Sequence, residues 1–144
     1  MMNKLVIYLI FVVCSIVTLN VNAQTIEESC SIMESEITDG QYHSFTLSGD
    51  GYLSYVWTDK KGSETTIRID LTQITVSKDM SNGYKVWINC IDASNCIVEQ
   101  GIVGNDENYY AEYSKTYLPA KSSEGMDAVF IQLEYLLKLS NEIR

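Results

Sequence analysis

The residues that could support catalysis are few in this chain. His43 is the only histidine among 144 residues, which leaves little scope for general acid–base catalysis or an imidazole-based metal site. A nucleophilic pair of Cys30 and His43 is conceivable, but no cysteine-protease motif surrounds either residue. The serine-hydrolase, zinc-protease and phosphate-loop motifs are also absent from the sequence. We therefore expect no catalytic centre and no cofactor, and we interpret His43 as an ordinary surface or turn residue.

Carboxylates are plentiful, and two kinds of chemistry use them. Two carboxylates could act together in hydrolysis, although their abundance does not place any pair correctly. The loop 104–108 gathers oxygen ligands from Asn105, Asp106, Glu107 and Asn108, which is a composition that calcium accepts. Its spacing does not match an EF-hand loop, so a solvated acidic turn is the simpler interpretation. We predict no metal site.

The amino-terminal residues are typical of a secretory signal peptide. A basic start leads into the apolar run 5–19, and Val21 and Ala23 occupy the minus-three and minus-one positions of a cleavage site. We predict cleavage after Ala23, with Gln24 as the new first residue, and a secreted or periplasmic localisation. The alternatives are an uncleaved membrane anchor, because the run approaches the length that spans a bilayer, and a lipid anchor at Cys14.

The charge of the mature chain excludes several partners. Cleavage removes Lys4 and leaves nine basic residues against nineteen acidic ones, a net charge of −10. This charge repels DNA, RNA and anionic lipid headgroups, so we expect no nucleic-acid partner. An apolar content of 46% with ten tyrosines indicates one packed domain and not a disordered chain.

Three cysteines follow the signal peptide, and an exported chain can oxidise them. We predict a disulfide between Cys90 and Cys96. If Cys90 lies opposite Cys96 in a hairpin, Ile88 lies opposite Val98, so both strands turn apolar side chains the same way. The remaining Cys30 is then a buried small hydrophobe, although pairing with another chain or with Cys90 or Cys96 stays open.

The same strand offers the best candidates for a binding site. Because Val86 and Ile88 alternate toward the core, Lys85, Trp87 and Asn89 take the outer face. An exposed tryptophan on a rigid strand is a good hot-spot candidate, and its neighbours would contribute to the same contact. The alternative is that the amino-terminal arm or the loop before the last helix covers Trp87.

The elements that position these residues are mainly β. Residues 24–41 form an arm or a short helix, for which Thr25 and Glu28 supply a capping box. Residues 42–144 form the folded domain. Seven short strands are indicated by alternation and turn signals, at 43–48, 52–58, 64–71, 74–76, 84–90, 96–103 and 108–118.

Two features end the chain in this interpretation. Pro119 stops the seventh strand, because proline cannot donate to a ladder. An amphipathic helix then runs from Ser122 or Ser123 to Asn141. The stripe Tyr109, Tyr113 and Tyr117 more often lines a core than forms an interface.

Seven antiparallel strands followed by one amphipathic helix resemble pleckstrin-homology-like domains. The resemblance covers Tyr42 to the carboxyl terminus, and the segment Ile69–Val76 looks like that family's join between strands three and four. It implies an α+β, mainly β fold in which two near-orthogonal sheets form a barrel that the helix closes at one end. The family's lipid-binding members carry a basic first loop, whereas Ser48–Gly51 is acidic, so phosphoinositide binding is not implied. The chain is also similar to small secreted Bacteroidota proteins of unassigned function.

We therefore expect an exported, non-enzymatic binding or scaffolding module whose partner is a protein or an envelope polymer. The alternative is a small secreted inhibitor of a basic enzyme such as a lysozyme, because an acidic protein attracts a basic one. An inhibitor should present one protruding loop, and a scaffold should present a flat face or a groove. A hydrolase is the third hypothesis.

Overall fold

The computed structural model describes residues 24–103 and 106–144, so the predicted signal peptide lies outside the described residues. The described elements are α1 Ile26–Glu36, β1 Tyr42–Leu47, β2 Tyr52–Thr58, β3 Glu64–Asp70, β4 Ile74–Asp79, β5 Tyr84–Cys90, β6 Ile97–Val103, β7 Asp106–Tyr113, β8 Lys115–Ala120 and α2 Ser123–Ile143. Across these ranges, no helix combines the length and the apolar character that crossing a membrane requires.

The eight strands form two antiparallel sheets. Their orders are β1-β2-β3-β6-β7 and β4-β5-β8. The predicted mainly β fold with a carboxyl-terminal helix is confirmed, but no strand pairing of the described residues closes the two sheets into a barrel. The prediction of seven strands is wrong. Its last strand is two strands that separate at Ser114 and join different sheets, because a continuous run of β-forming residues does not reveal where a chain changes partners.

The strand β8 also corrects the role predicted for Pro119. The strand continues through this residue to Ala120, and Pro119 lies opposite Lys85 of β5. Proline is tolerated there because β8 is an edge strand, which needs hydrogen-bond donors on one side only. The carbonyl of Pro119 accepts a hydrogen bond from Thr38 Oγ1 at 3.0 Å, which ties β8 to the end of α1.

The helix α2 covers one face of the three-stranded sheet. Ser122 caps it by accepting a hydrogen bond from the Gly125 N–H at 3.0 Å. Its inner side chains are almost completely buried and belong to one core with the inner residues of both sheets. These helix residues are Met126, Val129, Leu133 and Leu136. The predicted amphipathic stripe is therefore confirmed as the part of the helix that closes the core.

The helix α1 packs against both β1 and α2. The predicted capping box is present, since Thr25 accepts a hydrogen bond from the Glu28 N–H and Glu28 accepts one from the Thr25 N–H. Cys30 and Met33 lie on the inner face of the helix and are buried. The Glu34 carboxylate accepts a hydrogen bond from the Ser44 N–H at 3.0 Å, at a bulge in β1 where Ser44 has a φ of 58°.

The disulfide Cys90–Cys96 is confirmed, with the two Cα atoms 5.7 Å apart. The hairpin predicted around it is wrong. The strand β5 pairs with β4 and β8, whereas β6 pairs with β3 and β7, so Ile88 lies opposite Val76 and Thr116 and not opposite Val98. The bridge therefore links the last residue of β5, in the three-stranded sheet, to the residue that precedes β6, in the five-stranded sheet. Alternation determines which face of a strand is buried, but it does not select the neighbouring strand.

Candidate binding site

Trp87 lies at the centre of the three-stranded sheet, on the face opposite α2. Its neighbours Val86 and Ile88 are fully buried on the helix side, which sends the indole to the other side. The ring is partly buried by its own sheet. It packs against Tyr117 of β8 with ring centroids 5.1 Å apart, and its Nε1 donates a hydrogen bond to Asp79 Oδ2 at 3.2 Å.

The other two predicted binding residues share this face. Lys85 and Asn89 flank Trp87 along β5, and both are partly buried. The Lys85 Nζ atom lies 4.8 Å from the centroid of the Tyr117 ring. From β8, Lys115 lies opposite Asn89, and its Nζ atom is 5.9 Å from the Trp87 ring. We call this surface, formed by Lys85, Trp87, Asn89, Lys115 and Tyr117, the tryptophan face.

A cleft of about 250 Å³ adjoins the tryptophan face and is lined by residues of both sheets. Ile67 and Ile97 are its most buried residues, at 7% and 1% exposure, and they form its floor. Its polar groups include Glu99, Lys115, Thr116 and the hydroxyl of Tyr113. The complete lining is Ile67, Trp87, Ile97, Glu99, Tyr113, Lys115, Thr116 and Tyr117. We call this space the inter-sheet cleft.

The Glu99 carboxylate places a negative charge in the cleft, and this charge contributes to raising the pKa of nearby tyrosines. The hydroxyls of Tyr109 and Tyr113 are 2.8 Å apart. This hydrogen bond, burial and the Glu99 carboxylate raise the pKa of Tyr113 to about 12. Burial, together with Tyr117 and Glu99, also raises the pKa of Tyr42. At neutral pH the hydroxyls of Tyr42 and Tyr113 are therefore un-ionised hydrogen-bonding groups near one carboxylate.

The expectation that the tyrosine stripe lines the core is wrong for two of its members. Tyr113 and Tyr117 are 39% and 37% exposed, and they belong to strands of different sheets. The side chains of Tyr109 and Tyr113 on β7 lie on the same face of the sheet as Glu99 on the paired strand β6. The stripe thus divides around the inter-sheet cleft, because the strand that was predicted as continuous changes sheet at Ser114.

Cys30 and His43 have surroundings that oppose nucleophilic catalysis. Burial and the nearby Glu34 raise the pKa of the Cys30 thiol, which disfavours the reactive thiolate. The two ring nitrogens of His43 are occupied by Ser44 Oγ at 3.0 Å and Thr58 Oγ1 at 2.9 Å. The described residues include no hydrogen bond between the thiol and the imidazole, so the pair considered from sequence is not assembled.

A second groove of about 700 Å³ runs between α1 and β1. Cys30 and Phe45 lie at its base, and Glu27 and Glu34 stand at its rim. Its charged side chains, Glu27 and Glu34, are negative, and the whole protein also carries excess negative charge. It has no aromatic pair at its mouth, so the tryptophan face and the adjoining cleft remain the better candidate for recognition.

Metal chemistry has few possible ligands in the described part of the chain. No group of three or more histidine, cysteine, aspartate or glutamate side chains gathers there in a metal-binding arrangement. The loop considered for calcium lies outside this finding, because residues 104 and 105 and the side chains of 106–108 are not among the described groups.

Sequence reasoning did not identify Glu99, Thr116 or Lys115 as members of one site. They come from two strands, and only the change of sheet at Ser114 brings β8 next to the floor of the cleft. The one local signal is the alternation of Ile97 and Glu99, which places a carboxylate on an otherwise apolar face. Comparison with known proteins gives no further lead, since no family model, no curated protein and no solved structure matches the chain significantly.

Proposed function

We propose that this protein is an exported, non-enzymatic binding or scaffolding module that contacts its partner through the tryptophan face. The observation that carries the proposal is the Trp87–Tyr117 pair, two large aromatic rings 5.1 Å apart on a sheet face that neither α1 nor α2 covers. Aromatic side chains supply much contact area at a small entropic cost. Lys85 and Asn89 beside them provide polar contacts of the kind that surround such anchors.

The anchoring of β5 supports this role. The strand is hydrogen-bonded on both sides, by β4 and β8. Its last residue is fixed by the disulfide to Cys96. A binding surface held in this way loses little conformational freedom when a partner docks.

A catalytic role is less well supported than binding. The raised pKa of Cys30 and the hydrogen bonds of His43 leave neither residue poised as a nucleophile or a base. The net charge of −9 for the whole chain argues against nucleic acid or phosphoinositide as the partner. A protein or an envelope polymer, with no cofactor, is the partner class that we propose.

We further propose that the chain is processed after Ala23 and acts in the periplasm or outside the cell. The disulfide is consistent with an oxidising compartment. The intact mass of exported protein should then begin at Gln24 and lie two hydrogens below the fully reduced mass. Recovery of the uncleaved chain from the membrane fraction would contradict this proposal.

The resemblance to pleckstrin-homology-like domains also remains a proposal. The order of a β-rich region followed by α2, and two sheets that share one core, support it. The eighth strand and the helix α1 are departures from the pattern of seven strands and one helix. A topology different from that family's would end the assignment without affecting the binding proposal.

The inhibitor of a basic enzyme is the second candidate function. The turn between β4 and β5 favours it, since it presents Met80 and Tyr84 at 63% and 41% exposure. A protruding hairpin end with exposed apolar side chains on both arms is a shape that fills a cleft. Hen egg-white lysozyme offers a direct test: inhibition that Met80→Ala relieves would favour this function over the scaffold.

A photo-crosslinking experiment tests the leading proposal. p-Benzoylphenylalanine placed at Ser77, an exposed residue opposite Trp87, should form crosslinks to a partner in cells that produce the protein. The same probe at Glu134, an exposed residue of α2, is the matched control. Crosslinks at position 77 that are lost in Trp87→Ala support the proposal. Equal yields at both positions, or no crosslink at position 77, would overturn it.

A further inference from the structure

We propose that the inter-sheet cleft binds one neutral pyranose ring of a glycan, stacked on the Trp87–Tyr117 pair. This inference rests on the proposed function and names the chemical class of its ligand.

The aromatic pair supplies the first requirement of sugar recognition. A pyranose has a flat face of C–H bonds, which carry a small positive charge and pack against the negative face of an aromatic ring. The Trp87 and Tyr117 rings are inclined at 59° to each other and line the same cleft, so together they form an angled platform. Lys115 lies over the Trp87 ring and Lys85 over the Tyr117 ring, so the sugar stacks on the parts of the rings that the two lysines leave open. Ile67 and Ile97 extend the apolar floor beneath it.

The polar groups of the cleft supply the second requirement. A sugar hydroxyl both donates and accepts, so its site needs both kinds of partner. The Glu99 carboxylate accepts, the Lys115 ammonium donates, and the hydroxyls of Thr116 and Tyr113 can do either. The Tyr113 phenol is protonated at neutral pH, and its hydroxyl, which shares a hydrogen bond with that of Tyr109, can donate or accept.

The cleft carries charges of both signs, Glu99 and Lys115, so it has no field of a single sign that would select an anion or a cation. An anion would approach Glu99, and a cation would approach Lys115 and Lys85, whose Nζ atoms already lie over the two aromatic rings. A neutral polyol avoids both repulsions. The volume of about 250 Å³ is small for a drug-sized ligand and suits a single ring. The cleft opens onto the tryptophan face, where Asn89 could contact the next residue of a chain.

The test uses the disulfide-intact exported protein and defined probes. Maltotriose and tri-N-acetylglucosamine are titrated while tryptophan emission and heat are recorded, with trigalacturonate as the anionic probe and trilysine as the cationic one. We expect at least one neutral trisaccharide to bind with a Kd of about 1 mM or tighter, and to shift the emission. Trp87→Ala and Glu99→Gln should each weaken that binding about tenfold or more.

Tyr110→Ala is the matched control. Tyr110 is 58% exposed and follows Tyr109 in β7, so its side chain points to the face of the sheet away from the cleft. It should leave binding unchanged. Thermal unfolding of each variant checks that the fold is retained, and Tyr117→Ala replaces Trp87→Ala if the latter unfolds.

Three outcomes overturn the inference. They are no binding of either neutral trisaccharide up to about 10 mM, a preference for the charged probes, and neutral binding that Trp87→Ala and Glu99→Gln leave intact. If sugars fail while Ser77 still crosslinks to a protein, the glycan inference falls and the binding module stands. If neither experiment gives a partner, both proposals fail.

Discussion

The two faces of β5 differ sharply although they belong to the same seven residues. On one face Val86 and Ile88 are fully buried under α2 and the inner residues of the other sheet. On the other face Lys85, Trp87 and Asn89 are only partly covered, by side chains of their own sheet. The strand therefore has one face that completes the core and one large aromatic surface that does not.

Under the binding proposal, this difference separates stability from recognition within one element. Apolar area removed from water stabilises the fold, and the helix face holds almost all of it. The indole of Trp87 contributes less to the fold because part of its surface is still hydrated. The partly exposed indole on a rigid strand is the feature on which the binding proposal rests.

The largest effect should come from the covered face. Leu133→Ala removes a fully buried side chain of α2 and leaves a cavity, so we expect a loss of about 2–4 kcal/mol in the free energy of unfolding. Urea denaturation measures it. Ile131→Ala on the same helix is the control, since Ile131 is 56% exposed and should change stability by less than about 0.5 kcal/mol. A small effect at Leu133 would mean that α2 is peripheral.

The next effect concerns the joint between the sheets. Replacing both Cys90 and Cys96 by alanine opens a short loop, and the chain-entropy model gives a loss of about 2 kcal/mol. Because the bridge connects β5 to β6, hydrogen exchange should increase at the ends of both strands. Increased exchange confined to one sheet would show that the bridge does not couple them.

The sequence carried much of this fold but little of the site. Alternation located the strands, and the amphipathic stripe located α2. The disulfide was predicted correctly, although from a hairpin register that β5 and β6 do not form. Each of these signals is local. The pairing of β3 with β6, and the change of sheet at Ser114, depend on tertiary contacts that local patterns do not encode. Glu99 and Thr116 join Trp87 only through those contacts, so the cleft could not be predicted.

A smaller effect is expected on the open face. Trp87→Ala should lower the free energy of unfolding by no more than about 1 kcal/mol, while costing about 2 kcal/mol or more in partner binding. Ile88→Ala is the matched control one residue along, and it should cost about 2–5 kcal/mol because Ile88 is fully buried. If the two substitutions destabilise the protein equally, the two faces do not differ in the way described.

The smallest effect should appear on acidification, at the hydrogen bond that holds the indole. Hydrogen bonds from the backbone and side chain of Ser81, and from the Trp87 indole, lower the pKa of Asp79. A carboxyl group with a lowered pKa in the folded state adds stability at pH values above its ordinary range, and that stability is lost as the pH falls through the lowered value. In a Trp57→Phe background, Trp87 emission should therefore change below the ordinary aspartate range, as the acceptor becomes protonated.

Asp79→Asn isolates the cause of this change. The asparagine keeps an oxygen that can accept the indole N–H but cannot titrate, so the acid-dependent change in emission should disappear while the neutral spectrum is retained. Asp127→Asn serves as the control, because Asp127 pairs with Lys78 on the helix side of the sheet and should leave the titration unchanged. An acid transition that persists in Asp79→Asn would show that Trp87 senses another group, and the anchoring of the tryptophan face by Asp79 would have to be abandoned.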